Sequence, residues 1–288
     1  FYQVPYLNLQ TFMIQNLEID DVGPKTHFFH ANGYPPNAYR TLLGLLKKNL
    51  SMECMLLRPH WDKPGDYRKI KSWEPFVEDL IQYLTQLQSR GKVSIGHSIG
   101  GNLLMHAALR RPDLFDSIVL LDPTLFIPRT IYAWKFIHMI GLSNLLHPLS
   151  NKTKKRRTKF ESLEQMFVEY RSKYIFKNIK DEQLREYIDS ITLKRDNGVH
   201  LNYDKMWEVQ IYNTGMLHDI VLWREIKNLN TQTHIIYAEN SNAFLDSTAK
   251  RINKLNPNIK MTKLNNLSHL FPLENPKLVA KHILEGIL

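Results

Sequence analysis

The sequence predicts an α/β fold, with a mainly parallel β-sheet covered by helices on both faces and a helical insertion late in the sheet. Three observations predict it. Strand-like and helix-like segments alternate from His27 to Leu121; a serine stands between two glycines on a strand-to-helix turn at 96–100; and the alternation stops after Asp122 and resumes at Thr233. Alternation favours parallel pairing, because a parallel connection must return to the other end of the sheet and a helix covers that distance while burying a face. A chain of 288 residues with 43% hydrophobic content suits one large domain with an insertion better than two independent ones.

Taken in order, residues 6–15 read as an early hairpin, 27–30 as a buried strand, 36–49 as a helix and 54–57 as a second strand. A helix at 71–89 precedes the apolar strand 92–95, and the stretch after the serine, Gly101 to Leu109, reads as a helix leading to the strand 117–121. Residues 123–230 carry helical patterns and no convincing buried strand. The sheet then resumes at 233–237, followed by a helix at 245–255, a strand at 259–264 and a final helix at 276–287. The expected organisation is therefore a core of 1–127 and 229–288 with a helical cap at 128–228.

Chemistry concentrates at Gly96-His97-Ser98-Ile99-Gly100. This is a G-x-S-x-G turn in the strand–turn–helix setting that gives it meaning. A serine on so sharp a turn needs neighbours nearly free of side chain, and the helix starting behind it aims unpaired N–H groups at the place where an oxyanion would develop. Ser98 is the expected nucleophile. A serine hydroxyl attacks poorly at neutral pH unless an imidazole takes its proton. Among 12 histidines, His269 lies between the last strand and the last helix, at the same end of the sheet as Ser98, whereas His106, on the helix after the serine, reads as a packing residue. His30-Ala31-Asn32-Gly33 follows the first buried strand, which makes the backbone N–H groups of Asn32 and Ile99 the expected oxyanion donors.

On these residues the chain resembles the cap-bearing α/β-hydrolases, a group that includes esterases, lactonases, epoxide hydrolases and C–C bond hydrolases. The resemblance rests on His30-Ala31-Asn32-Gly33 where the family usually has His-Gly, on Gly96 to Gly101, and on Ser268-His269 ahead of Pro272 and Pro276. It implies the α/β-hydrolase fold and acyl-transfer chemistry on a serine, and it disfavours the relatives that carry aspartate at the nucleophile position. Two departures stand out. Leu57 to Gly65 replaces the family's Asp-x-x-Gly-x-Gly-x-Ser loop, and where the family's acid usually stands, in a Gly-Glu-x-Asp pattern, this chain has Ala238-Glu239-Asn240-Ser241. The carboxylate must then come from elsewhere. Asp122, at the end of the strand 117–121, is the preferred candidate and Glu239 the alternative; either would orient the imidazole without taking the proton.

The expected activity is hydrolysis of a hydrophobic carboxylic ester or related acyl bond through an acyl-enzyme. The alternatives are a C–C bond or thioester hydrolase on the same residues, and a noncatalytic binding protein that retains the fold, motivated by Ser241. Large apolar groups at 131–140 and 142–149 read mostly as the cap's own core, with a part facing the serine as an apolar pocket. No phosphate loop, dinucleotide fingerprint, H-E-x-x-H or C-x-x-C is present, so no cofactor or metal is expected. The net charge is +10, much of it in Lys152-Thr153-Lys154-Lys155-Arg156-Arg157-Thr158-Lys159. That run reads as a solvated face, with contact to anionic lipid or an acidic partner as the alternative and nucleic acid not expected. No apolar run is long enough to span a bilayer, no secretory leader pattern opens the chain, and the single Cys54 fits the reducing cytoplasm.

Overall fold

The structure, a computed structural model, describes residues 23–87 and 93–287; the hairpin expected at 6–15 lies outside them. In chain order β1 (Lys25–Phe29), α1 (Arg40–Leu46), β2 (Ser51–Met55), α2 (Glu74–Gln86), β3 (Val93–His97), α3 (Ile99–Arg110) and β4 (Ser117–Leu121) alternate. An insertion follows, made of α4 (Pro128–Met139), α5 (Ser143–Leu146), α6 (Pro148–Lys155), β5 (Lys159–Phe160), α7 (Leu163–Arg171), α8 (Asp181–Ser190), β6 (Thr192–Arg195), β7 (Gly198–Leu201), α9 (Lys205–Thr214) and α10 (Ile220–Glu225). The alternation then returns with β8 (Gln232–Asn240), α11 (Asp246–Leu255), β9 (Lys260–Ser268), α12 (Phe271–Glu274) and α13 (Pro276–Ile287).

The main sheet runs β2-β1-β3-β4-β8-β9, and every pairing in it is parallel. Successive side chains of a strand point to opposite faces, so near-continuous apolar runs such as Ile118 to Leu121 supply two cores at once. Phe29, Ile118, Leu120 and Ile235 pack with α2, α3 and α11; Phe28, Val119, Leu121 and Ile236 pack with α1 and α13. Because all six strands run the same way, their carboxyl ends collect at one rim, which is where open α/β sheets place ligands. The insertion meets that rim where the Asn32 side-chain amide, after β1, donates to the Glu208 carbonyl of α9. Ile131, Trp207 and Ile211 join the first apolar layer, whereas Phe167, Tyr170 and Tyr187 join the second.

The structure corrects several details of the sequence reading. The insertion is not purely helical: β5, β7 and β6 form a small antiparallel sheet, β6 and β7 being joined by the turn Asp196-Asn197. Its strands are two to four residues long and β6 is largely exposed, so they carry no buried-strand signature. The helix expected at 36–49 is a 3-10 turn at Pro36–Tyr39 followed by α1, the strand at 54–57 begins earlier, at Ser51, and the strand at 259–264 continues to Ser268. Nor is the basic run a uniform solvated face, because the Arg156 guanidinium is buried against Glu208 of α9 at 2.7 Å. The apolar groups of α4 and α5 are also not mostly core: Ile131 and Trp134 are buried, but Tyr132, Phe136 and Met139 face solvent. Among the described residues no helix is long and apolar enough to cross a membrane.

Candidate active site

Ser98 is held by its turn. It sits at φ 57° and ψ −117°, a conformation most residues avoid, between β3 and α3. The turn closes only because its flanks lack side chains: a Cβ on Gly96 would lie 2.6 Å from the backbone of Gly100, and one on Gly100 would lie 2.2 Å from the carbonyl oxygen of Phe29. The Ser98 N–H donates to the Leu121 carbonyl at 3.0 Å, and its own carbonyl accepts from Thr124 and Asn102, both at 3.1 Å. The strain is thus opposed by bonds on both sides of the residue.

Three side chains that the sequence places far apart meet behind this turn. Nε2 of His269 lies 3.0 Å from Oγ of Ser98, and Nδ1 of the same ring lies 2.5 Å from Oδ2 of Asp122. Asp122 is fully buried at the end of β4, at φ 45°. Its Oδ1 accepts the Ala238 N–H at 3.0 Å, and Oδ2 also accepts the hydroxyl of Ser241. Nδ1–H is thereby committed to the carboxylate, which leaves Nε2 free to accept from the serine hydroxyl. Glu239 is not part of this row; it is exposed, and its carboxylate accepts the N–H of Asn266 at 2.9 Å.

The loop that carries His269 is fixed from both sides. Glu274 of α12, buried, accepts the Ser268 N–H at 2.9 Å and the Ser268 hydroxyl at 2.5 Å. The His269 carbonyl accepts Nε2–H of His97 at 2.9 Å, while Nδ1 of His97 accepts the Tyr39 hydroxyl at 2.7 Å. Tyr39 in turn accepts the Ala31 N–H at 3.3 Å. One chain of hydrogen bonds therefore ties the loop after β1 to the loop after β9. Burial, and then the neighbouring His269, hold the His97 pKa well below the ordinary imidazole value, so its ring serves as a neutral bridge.

Asn32 and Ile99 stand where an oxyanion would need them in sequence terms, one after β1 and the other at the first position of α3, whose N–H has no partner inside the helix. Asn32 is buried, and its side-chain amide donates to the Glu208 carbonyl at 3.1 Å, which anchors the loop to the insertion. His30 locks the same loop to the end of β2: Nδ1–H donates to Ala31 O at 2.8 Å and Nε2 accepts the Leu57 N–H at 3.0 Å. Burial lowers its pKa to about 4. Glu208 also takes Tyr203 Oη–H at 2.7 Å and Thr153 Oγ–H at 3.2 Å beside Arg156. An uncompensated carboxylate in this place would be costly to bury.

Sequence reasoning gave no role to three participants. Thr124 places its hydroxyl 3.1 Å from Ser98 Oγ; nothing but its position after Asp122-Pro123 marks it. His97 was visible inside the G-x-S-x-G turn, yet its partners Tyr39 and His269 are distant in sequence. Ser241 stood out only as a departure from the family pattern. Among the described residues no group of histidine, cysteine and carboxylate side chains is arranged to hold a metal ion.

Residues 58–190 match the family described as serine aminopeptidase, S33. An uncharacterized hydrolase of Bacillus subtilis (strain 168), YugF, is 22% identical over 265 residues, covering 87% of this chain and 85% of that protein. The sn-1-specific diacylglycerol lipase ABHD11 of Xenopus laevis is 29% identical over 130 residues, 44% of this chain and 40% of the relative. Among solved structures, E-2-(acetamidomethylene)succinate hydrolase superposes with a TM-score of 0.74 at 19% identity, covering 93% of each chain. The six-stranded parallel sheet and this superposition show the α/β-hydrolase fold, and the sequence matches, which are to hydrolases, support a hydrolase enzyme of that superfamily.

Proposed function

We propose that the protein is a serine hydrolase that cleaves an uncharged, hydrophobic carboxylic ester or a related acyl bond through an acyl-enzyme. The observation that carries this reading is the single imidazole, His269, bridging the Ser98 hydroxyl at 3.0 Å and the buried Asp122 carboxylate at 2.5 Å. In this reading His269 removes the proton from Ser98 as Oγ attacks the acyl carbon, and Asp122 stabilises the imidazolium that forms without being protonated. The tetrahedral oxyanion is held by the N–H groups of Asn32 and Ile99. His269 then delivers its proton to the leaving alcohol, the acyl group remains on Ser98, and a water activated by the same imidazole releases the acid.

Residues 128–228 act in this proposal as a cap over the rim, with 1–127 and 229–288 as the hydrolase core. An apolar acyl pocket is supported by the continuous apolar layer that joins Ile99 and Leu125 to Ile131, Trp207 and Ile211 of the insertion. The buried Asp122 beside His269 speaks against a binding protein that has lost its acid. Cys54 is buried, and its thiol pKa is raised by that burial to about 12, which suits a packing role and agrees with a cytoplasmic setting.

A fluorophosphonate probe together with a panel of p-nitrophenyl esters tests the reading. Covalent labelling of Ser98 and ester turnover, both lost in Ser98→Ala and His269→Ala, are the expected results. Folded protein that neither labels nor turns over an ester of any chain length would return the chain to the binding-protein reading.

A further inference from the structure

The first two helices of the insertion present apolar surface in two directions. On α4, Ile131 and Trp134 turn inward and are buried. Tyr132, Phe136 and Met139, spaced four and three residues apart, share another stripe and are 54%, 58% and 74% exposed. Leu145 and Leu146 of α5 continue this surface at 67% and 49%. The outward stripe of a helix on a folded domain is normally polar. Here it is built from large apolar side chains, and side chains so exposed protrude rather than line a groove.

The stretch of chain that carries this ridge is charged one way. From Pro123 to Phe160 the chain has eight Lys and Arg and no Asp or Glu, which supplies most of the protein's net +10. Arg156 is neutralised by Glu208, but Arg129, at the start of α4, and Lys152, Lys155, Arg157 and Lys159, which follow the ridge in and after α6, are exposed. We propose that the α4–α5 ridge and its basic flank dock this protein on an anionic lipid surface. The protruding apolar side chains enter the boundary between headgroups and acyl chains, and the cations meet lipid phosphates.

The charge pattern also argues against a second copy as the occupant. A two-fold contact sets the same patch against itself, so an acid-free basic segment would face its own cations. A bilayer of anionic lipid has the opposite charge and needs no matching groove. The docking surface does not depend on the reaction proposed for Ser98, and its assay reads no hydrolysis.

Flotation of the full chain with vesicles tests the inference, using phosphatidylcholine alone and phosphatidylcholine mixed with phosphatidylglycerol, at low and high NaCl. Binding is expected on the mixed vesicles, to weaken with salt, and to be about tenfold or more weaker on phosphatidylcholine alone. Phe136→Glu/Met139→Glu and Lys152→Glu/Lys155→Glu should each lose about tenfold or more. Val168→Glu, which replaces another exposed apolar residue, on α7 and 62% exposed, should bind like the wild type. Thermal unfolding of each variant separates lost docking from lost folding. The inference is overturned if the wild type stays with the unfloated protein, if it binds neutral vesicles equally well, or if the folded Phe136→Glu/Met139→Glu variant binds undiminished. Concentration-dependent dimers, without flotation, that Phe136→Glu/Met139→Glu abolishes would overturn it in favour of a second copy.

Discussion

The hydroxyl of Ser241 donates to Oδ2 of Asp122, the same carboxylate oxygen that faces Nδ1 of His269. Ser241 Oγ also accepts the N–H groups of Ala243 and Phe244, at 3.0 and 3.1 Å. Ser241, which stands where the family resemblance would place an acid, therefore fixes the turn after β8 and bonds the carboxylate proposed above for that acid's role. Departure and compensation are two ends of one hydrogen bond.

If Asp122 is the orienting carboxylate, Asp122→Asn lowers kcat by about four orders of magnitude, because the amide leaves the imidazole in the wrong tautomer. Glu239→Gln leaves kcat essentially unchanged. Ser241→Ala reduces kcat far less than Asp122→Asn but costs about 1–3 kcal/mol of stability, since it removes a partner from a buried carboxylate and from two backbone N–H groups. Ester turnover measured beside urea unfolding checks all three. A large loss in Glu239→Gln with little in Asp122→Asn would reverse the assignment. The double variant Asp122→Asn/Ser241→Asp should regain activity relative to Asp122→Asn, because Ser241 Oγ already bonds the Asp122 oxygen that faces the His269 ring.

Thr124 is expected to hold Ser98 in its attacking rotamer by donating to Oγ while the serine proton points to His269. Thr124→Val keeps the shape and removes the donor. Its kcat should fall about tenfold with KM little changed, as the loss of one hydrogen bond near 1.4 kcal/mol implies. Thr124→Ser should restore the rate. Equal rates for valine and serine at this position would make Thr124 a packing residue.

Acid should destabilise the protein in a defined window. Burial, aided at His27 by Lys25, lowers the pKa of His27 to about 4, and burial lowers that of His30 to about 4 as well, against an unfolded value near 6.5. The unfolded chain therefore binds more protons than the native one between those limits. Stability is fully present above about pH 6.5 and is lost as pH falls toward 4, by on the order of 3 kcal/mol for each histidine. Urea unfolding at pH 7, 6 and 5 measures the slope, and His27→Gln should make it shallower by up to about 1.4 kcal/mol per pH unit. A flat profile across this range would mean that neither ring is held neutral.

Much of the sheet was legible because parallel strands buried on both faces leave an unmistakable apolar run, as at Ile118 to Leu121. Ser98 was legible for a related reason: the close backbone contacts at Gly96 and Gly100 admit no side chain, and that demand is written in consecutive residues. The small antiparallel sheet was not, since four largely exposed residues such as Thr192 to Arg195 lack any periodic signal. Exposure along α4 was equally hidden. Tyr132 and Trp134 are similar letters, and only the packing of the insertion decides which of them meets water.

The sequence by itself determined the fold class, the strained turn at Ser98, the identity of His269 as a candidate base and the concentration of positive charge after Asp122. Each of these depends on local spacing or composition, which a linear chain carries in full. Tertiary structure decided that Asp122 and not Glu239 reaches the imidazole, that Ser241, Thr124 and His97 join the row, and that Arg156 leaves the basic run to pair with Glu208. Those outcomes rest on which strand ends meet at one rim, and that is fixed by strand order and helix packing rather than by any neighbour in sequence.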